Sequence, residues 1–331
     1  SIVCFEIAST LALLLGWSAA LLFEPGVGLR LEAGAPPQVQ AVTFKSTVLN
    51  IVPTSVIDAM ARGDVLQIVA FCFLFGAACL SLGEKARPML EFADTLAEVS
   101  FRCTRFVMVL APPAVLAAMA GTVAAGGAES LTGLAKLVAT AWTAQLVFLV
   151  IVLGGGLLLA GAPLARFLRH TREPFVIAFA TTSSAAALPQ TLANLTRLGV
   201  PQRILGVVAP LSISLNLSGS TLHLGMATLC IAQAAHFPLT LSQQLMILLT
   251  LKLTSKGVAG IPRANFVVLS ALFPAFGLPM EGLALLLGID ALIDPIRTSV
   301  NIMSHCTAPV VVARWEGTRL PAHDPSPPTN R

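Results

Sequence analysis

Apolar residues dominate long stretches of this chain. Thr10–Phe23, Val65–Leu82, Phe106–Ala125, Leu134–Ala160, Ile204–Ala235 and Leu283–Val312 are nearly unbroken hydrophobic runs. A helix that crosses the hydrocarbon core of a bilayer needs about 20 such residues. The pattern therefore predicts an all-α integral membrane protein with many spans. Residues 1–23 read as one spanning helix and 24–46 as a Pro/Gly-rich external loop. A short mixed-polarity segment at 47–62 precedes a span at 64–82. A further span covers about 101–126, with Pro112-Pro113 marking a kink or break, and a connection at 126–131 leads into a clean span at 132–160. The polar, Pro-rich stretch 317–331 reads as a disordered tail.

The C-terminal half departs from simple spans. Segment 174–200 is only moderately apolar, and its middle reads Thr181-Thr182-Ser183-Ser184-Ala185-Ala186-Ala187-Leu188-Pro189. Segment 241–277 repeats the style with Thr254-Ser255-Lys256-Gly257-Val258-Ala259-Gly260-Ile261-Pro262. Each precedes a long apolar run with a polar interruption: Asn216 to Thr221 within 203–235, and Asp290 to His305 within 282–316. A broken hairpin followed by an interrupted helix thus occurs twice. Paired interruptions of this kind point to a transporter binding site, because backbone freed at membrane depth must line a cavity or meet a ligand.

Composition strengthens the membrane assignment. Of 331 residues, 56% are hydrophobic and only 11% charged, against roughly 25% charged in a soluble domain; mean hydropathy is +0.84. The net charge of +4 forms no basic stripe, so nucleic acid is not an expected partner. The cations gather instead at Lys85–Arg105, Arg166–Arg172, Arg197–Arg203 and Arg314–Arg319, and they set the expected cytoplasmic ends. The six cysteines lack metal-ligand spacing and read as small buried hydrophobes. With no tyrosine, an interfacial belt rests on Trp17, Trp142 and Trp315. The start at Ser1, almost inside an apolar run, predicts that further sequence precedes it.

The strongest chemical signal lies in the last run. Asp290, Asp294, Arg297, Thr298, Asn301 and His305 fall mostly on one stripe of a helix otherwise built of Leu, Ile, Val, Ala and Met. One charge at a helix centre costs about 2.5–3.5 kcal/mol on insertion scales. Asp294 and Arg297 are spaced to neutralise each other; Asp290, two turns from Arg297, and the line continuing to His305 are not explained that way. A guanidinium grips a carboxylate bidentately, and an acid one turn away takes an ammonium. Backbone N–H groups at the Ser183-Ser184 and Gly257–Gly260 tips suit carboxylates.

These motifs, in this order, resemble the dicarboxylate/amino acid:cation symporters, which include the glutamate and aspartate transporters. The residues that carry the resemblance are Phe5–Thr10 with Glu24-Pro25-Gly26, Ile51–Thr54, Ser183–Pro189, Asn216–Ser220, Ser255–Pro262 and Asp290–Asn301. The resemblance implies an elevator fold with two re-entrant helical hairpins, a homotrimer, and two helices preceding this N-terminus. It implies a scaffold at 47–126 and a transport domain of 1–23 plus 132–316, in the inner (plasma) membrane. By the same resemblance, Arg297 grips the distal carboxylate of the substrate and Asp294 takes its amino group. Thr298, Asn301, Ser183, Ser184 and Gly260 add substrate contacts. Asn216, Ser218, Asp290, Asn301 and His305 stand at the cation-coupling positions.

The chain also departs from the family pattern. Sodium-coupled relatives place acids where this chain has Ser218 and His305, Arg263 and Asn265 replace glycines, and Pro295 interrupts the last helix. The expected activity is symport of glutamate or aspartate with H+ or Na+ and no cofactor. The alternatives are a C4-dicarboxylate symporter, a truncated inactive transporter, and, remotely, a membrane-embedded hydrolase using Ser218, His305 and Asp290. No Gly-x-Ser-x-Gly elbow supports the last, so no enzyme activity is expected.

Overall fold

A computed structural model describes residues 1–29, 54–62, 65–109, 111–257, 264–318 and 320, and every regular element among them is helical. Helix α1 spans Ile2–Phe23, α2 Val56–Arg62, α3 Val65–Leu82 and α4 Arg87–Met108. Helix α5 runs from Ala111 to Val147, opens into a wider π turn at Phe148–Leu153 and resumes as α6, Gly154–Leu159. Then follow α7 (Leu164–Thr181), α8 (Ser184–Leu198), α9 (Gln202–Leu215), α10 (Ser218–Ala234), α11 (Leu241–Thr254), α12 (Ala264–Phe276) and α13 (Glu281–Trp315). Three stretches among the described residues are long and apolar enough to cross a membrane: Ile2–Phe23, Leu131–Leu159 and Gln202–Ala234.

Helix α10 is the axis of the packing. All its residues except Gln233 are buried. Helix α1 lies against it so closely that a Cβ at Gly16 would stand 2.1 Å from the Leu222 carbonyl oxygen. Small residues permit such approach where lipid removes the hydrophobic drive between helices. Gln233 fastens the end of α1, donating to Ala20 O at 2.8 Å and accepting from Gly26 N at 3.1 Å. Helix α13 packs on α5, α7, α9 and α10. Among the residues whose side chains are described, the two buried apolar clusters draw on α1, on the chain from Leu134 onward and on Leu29, and on none from α2, α3 or α4.

Several elements differ from the sequence reading. The connection expected at 126–131 is helical, because nothing after Pro113 breaks the Ala/Gly-rich run. Helix α5 is therefore 37 residues long, or about 55 Å. Pro112-Pro113 sit in its first turn, where a missing N–H is tolerated. Residues 101–108 belong to α4 rather than to the following span. The first hairpin begins at Leu164, not 174, because Pro174 lies inside α7. Arg166 thus stands on that helix and donates to Arg197 O at 3.2 Å, at the end of α8.

The last apolar run is not interrupted. α13 continues for 35 residues through Pro295 and Pro309. Trp142 Nε1 donates to Leu292 O at 2.9 Å, in the turn that Pro295 disturbs. The other expected interruption is present: Asn216 and Leu217 leave helical geometry between α9 and α10. Trp17 is buried in the core and cannot serve an interfacial belt. Cys72 and Cys103 are exposed rather than buried, and all six cysteines are free. Most of the 24–46 and 317–331 segments, with Gly260 and Arg263, lie outside the described residues.

Candidate functional site

The charged stripe of α13 is brought together at one level of the bundle. Side chains of a helix lean toward its N-terminus, so Arg297 reaches back along α13 over both preceding acids. Its Nη1 donates to Asp290 Oδ1 at 2.9 Å and its Nη2 to Asp294 Oδ1 at 2.7 Å. Self-neutralisation therefore covers both acids, not the one that spacing alone allowed. Thr298 Oγ1 donates to the same Asp294 oxygen at 3.0 Å. All of these groups are buried; the exposed edge is the Asp294 side chain, at 13%.

One turn further, Asn301 locks α13 to α10. Its Nδ2 donates to Ser220 Oγ and its Oδ1 accepts from Ser220 N, both at 3.1 Å. The approach requires Gly219, since a Cβ there would lie 2.4 Å from Arg297 O. Gln145 of α5 donates to Gly219 O at 2.8 Å, while its Oε1 is buried without a partner. The break before α10 is tied to α13 as well. Asn216 Nδ2 donates to Ser304 O at 3.4 Å, and Ser218 Oγ donates to Asn216 Oδ1 at 2.9 Å.

His305 is buried at this end. The Asn216 backbone approaches it, yet neither ring nitrogen completes a hydrogen bond. Ser304 Oγ and Thr307 Oγ1 beside it are likewise unpartnered. No cluster of three or more His, Cys, Asp or Glu able to hold a metal ion exists among the described residues. Ser218 makes its hydrogen bond to Asn216, not to His305, so no serine–histidine nucleophile pair is formed.

The first hairpin tip meets α13 through its helices. Ser299 Oγ of α13 donates to Phe175 O of α7 at 3.3 Å. Ser183 caps α8, accepting from Ala186 N at 3.3 Å, and Ser184 is buried in the first turn. No hydrogen bond joins either serine to Arg297, and Gly260 falls outside the described residues.

The structure adds groups that the sequence reading passed over. Gln145 and His223 are isolated polar residues in apolar runs, and that isolation was the available signal. His223 is buried on α10 with Nδ1 unpartnered. A second ionic cluster joins α1 to the second hairpin. Glu6 pairs with Lys252 and Lys256, each at 2.8 Å. Both lysines also bond Ser9 Oγ, and Lys256 donates to Leu215 O, the end of α9, at 3.1 Å.

An all-helical bundle with membrane-length apolar helices and a buried acid–guanidinium ladder defines a membrane protein built to hold charge at depth. Comparison with known sequences gives the family. The model of the sodium:dicarboxylate symporter family matches residues 1–315, and the chain belongs to that family. It is 39% identical over 324 residues to the proton/glutamate-aspartate symporter of Bacillus subtilis (strain 168), covering 96% of this chain and 78% of that protein. It is 39% identical over 351 residues to a C4-dicarboxylate transport protein of Anaeromyxobacter dehalogenans (strain 2CP-C), covering 98% and 80%. The proton/sodium-glutamate symport protein of Geobacillus stearothermophilus is 36% identical over 327 residues, covering 96% and 78%. These relatives are transporters, not enzymes.

Proposed function

We propose that this chain carries an acidic amino acid, glutamate or aspartate, across the inner membrane together with a cation, H+ or Na+. The observation that carries the reading is the buried Arg297, held between two acids of its own helix with Thr298 and Asn301 alongside. A buried guanidinium is a bidentate receptor for a carboxylate, and Asp294 beside it is the ammonium acceptor. The names of the relatives from Bacillus and Geobacillus support an amino acid with a proton or sodium ion. The Anaeromyxobacter relative supports the second reading, a C4-dicarboxylate; Asp294, a second acid beside Arg297, favours the first.

In this reading Ser183, Ser184 and Gly260 supply hairpin contacts to the solute. Asn216, Ser218, Asp290, Asn301 and His305 surround the cation path. Residues 47–126 form the scaffold of a homotrimer. The transport domain, 1–23 plus 132–316 with two re-entrant hairpins, moves against it. The division is supported by the two apolar clusters, whose members among the described residues include none from α2, α3 or α4.

The test is uptake of labelled aspartate, glutamate and succinate into vesicles holding the full chain, under proton or sodium gradients. Saturable, gradient-driven aspartate or glutamate uptake is expected, and Arg297→Ala abolishes it. Asp294→Ser lowers amino-acid uptake at least tenfold and spares succinate. Unchanged aspartate uptake by Arg297→Ala removes the site from the mechanism.

A further inference from the structure

We propose that His223 is a proton-binding site coupled to occupancy of Arg297, so that a proton enters with the acidic solute. The inference rests on the transport reading above and goes beyond it by naming the coupling ion and the group that takes it.

Asn216 meets Ser304, Ser220 meets Asn301, Gly219 meets Arg297, and Gly282 meets Ile231. Helices α10 and α13 therefore run antiparallel, and one turn beyond Gly219 places His223 at the level of Asp294 and Arg297. Arg297 is the cation of α13 at that level, held there by its pairs with Asp290 and Asp294. The imidazole is buried, and its Nδ1 has no hydrogen-bond partner. A buried, unpartnered ring nitrogen beside a charge that the solute is to bind is a receptor held in reserve.

The other elements packed on α10 bring few competing charges. On α1 Glu6 is committed to Lys252 of α11 and to Lys256. Lys136 of α5 donates to Glu24 O at the far end of α1. Helix α12 carries no ionisable residue. From α13 the charged groups at that level are Asp290, Asp294 and Arg297, bonded to one another.

The coupling follows from charge. An acidic amino acid adds one net negative charge to the buried site and a C4-dicarboxylate adds two. Uncompensated charge at that depth is expensive. Arg297 and an imidazolium repel each other, and Asp290 and Asp294 already offset part of that repulsion; the net negative charge that a solute adds on Arg297 favours the imidazolium further. The step is simple protonation: the ring-nitrogen lone pair takes H+ from water, and no other bond changes. Coupling of this kind is reciprocal, so a proton on His223 tightens solute binding.

The experiment is isothermal titration of the purified full chain with aspartate and with succinate, in phosphate and in Tris, across about pH 5.5–8. The difference between buffers counts protons taken up. Wild type takes up a large fraction of one proton, and its affinity weakens by up to tenfold per pH unit as pH rises. His223→Gln and His223→Asn bind without that uptake and with pH-independent affinity; His236→Asn, at an exposed position beyond the end of α10, retains both. Undiminished uptake in both His223 variants, or binding by wild type with no uptake, overturns the proposal while leaving the transport reading standing. Absence of binding by any of the two solutes at any pH overturns the transport reading, and the proton site with it.

Discussion

Replacing Gly219 with alanine tests whether the close seating of α10 on α13 is what assembles the site. The new Cβ would lie 2.4 Å from Arg297 O, against an ordinary contact of 3.4 Å or more. The clashing atom is helix backbone and cannot rotate away, so α10 must retreat by about 1 Å. Retreat is opposed because α1 is seated just as closely on another side of α10, through Gly16 and Leu222. Overpacking of this kind costs about 1–3 kcal/mol. The same retreat lengthens both Ser220–Asn301 hydrogen bonds and the Gln145–Gly219 bond, each worth about 1 kcal/mol. Alanine's better helix propensity returns at most about 1 kcal/mol. The net expectation is a loss of about 2–4 kcal/mol, seen as earlier thermal unfolding of the detergent-solubilised protein by tryptophan fluorescence. Gly206→Ala is the control: nothing lies within 4 Å of its Cβ position, and a gain of about 0.5–1 kcal/mol is expected. If Gly219→Ala unfolds at or above the wild-type temperature, the α10–α13 contact is not as tight as argued.

Two further outcomes follow from the polar contacts around the site. Lys256→Met strips donors from Glu6, Ser9 and Leu215 O at once and is expected to cost about 2–3 kcal/mol by thermal unfolding; Lys256→Arg restores part of it. Gln145→Met removes one hydrogen bond together with an unpartnered oxygen and is expected to stay within about 1 kcal/mol of wild type. Gln145→Glu loses the donor and buries another carboxylate, and a clearly larger loss in the same measurement is expected.

The ladder on α13 was legible because its residues repeat at helical spacing inside an apolar run, and no soluble core explains that pattern. The turn at Thr182-Ser183 and the break at Asn216-Leu217 were legible from Ser, Asn and Gly set in apolar surroundings. Pro295 misled: it suggests an interruption, but Trp142, far away in sequence, satisfies a carbonyl in the disturbed turn. The moderate apolarity of 174–200 placed the start of the first hairpin too late, because α7 already begins at Leu164. The pairing of Arg297 with Asp290 required knowing which way a long side chain leans. The union of Glu6 with Lys252 and Lys256 joins residues about 250 positions apart, which no local period reveals.

If Arg297 receives the solute as proposed, its paired state bears on which solute is preferred. An incoming carboxylate then has to compete with acids already bound, and the two are not equivalent. Asp290 is enclosed, with its side chain 1% exposed, whereas Asp294 stands at the open edge at 13%. The Asp294–Arg297 contact is therefore the one a solute meets first. On the proposed reading, an acidic amino acid exchanges that single ion pair for two, its carboxylate taking Arg297 and its ammonium taking Asp294. A dicarboxylate offers nothing to the displaced Asp294. Leaving one partner of a buried pair uncompensated costs about 3–5 kcal/mol; even half of that, at the exposed edge, is a preference of roughly tenfold or more. Asp294→Ser removes the penalty, so the ratio of succinate to aspartate uptake should rise in that variant. An unchanged ratio would mean that the open acid does not select the solute.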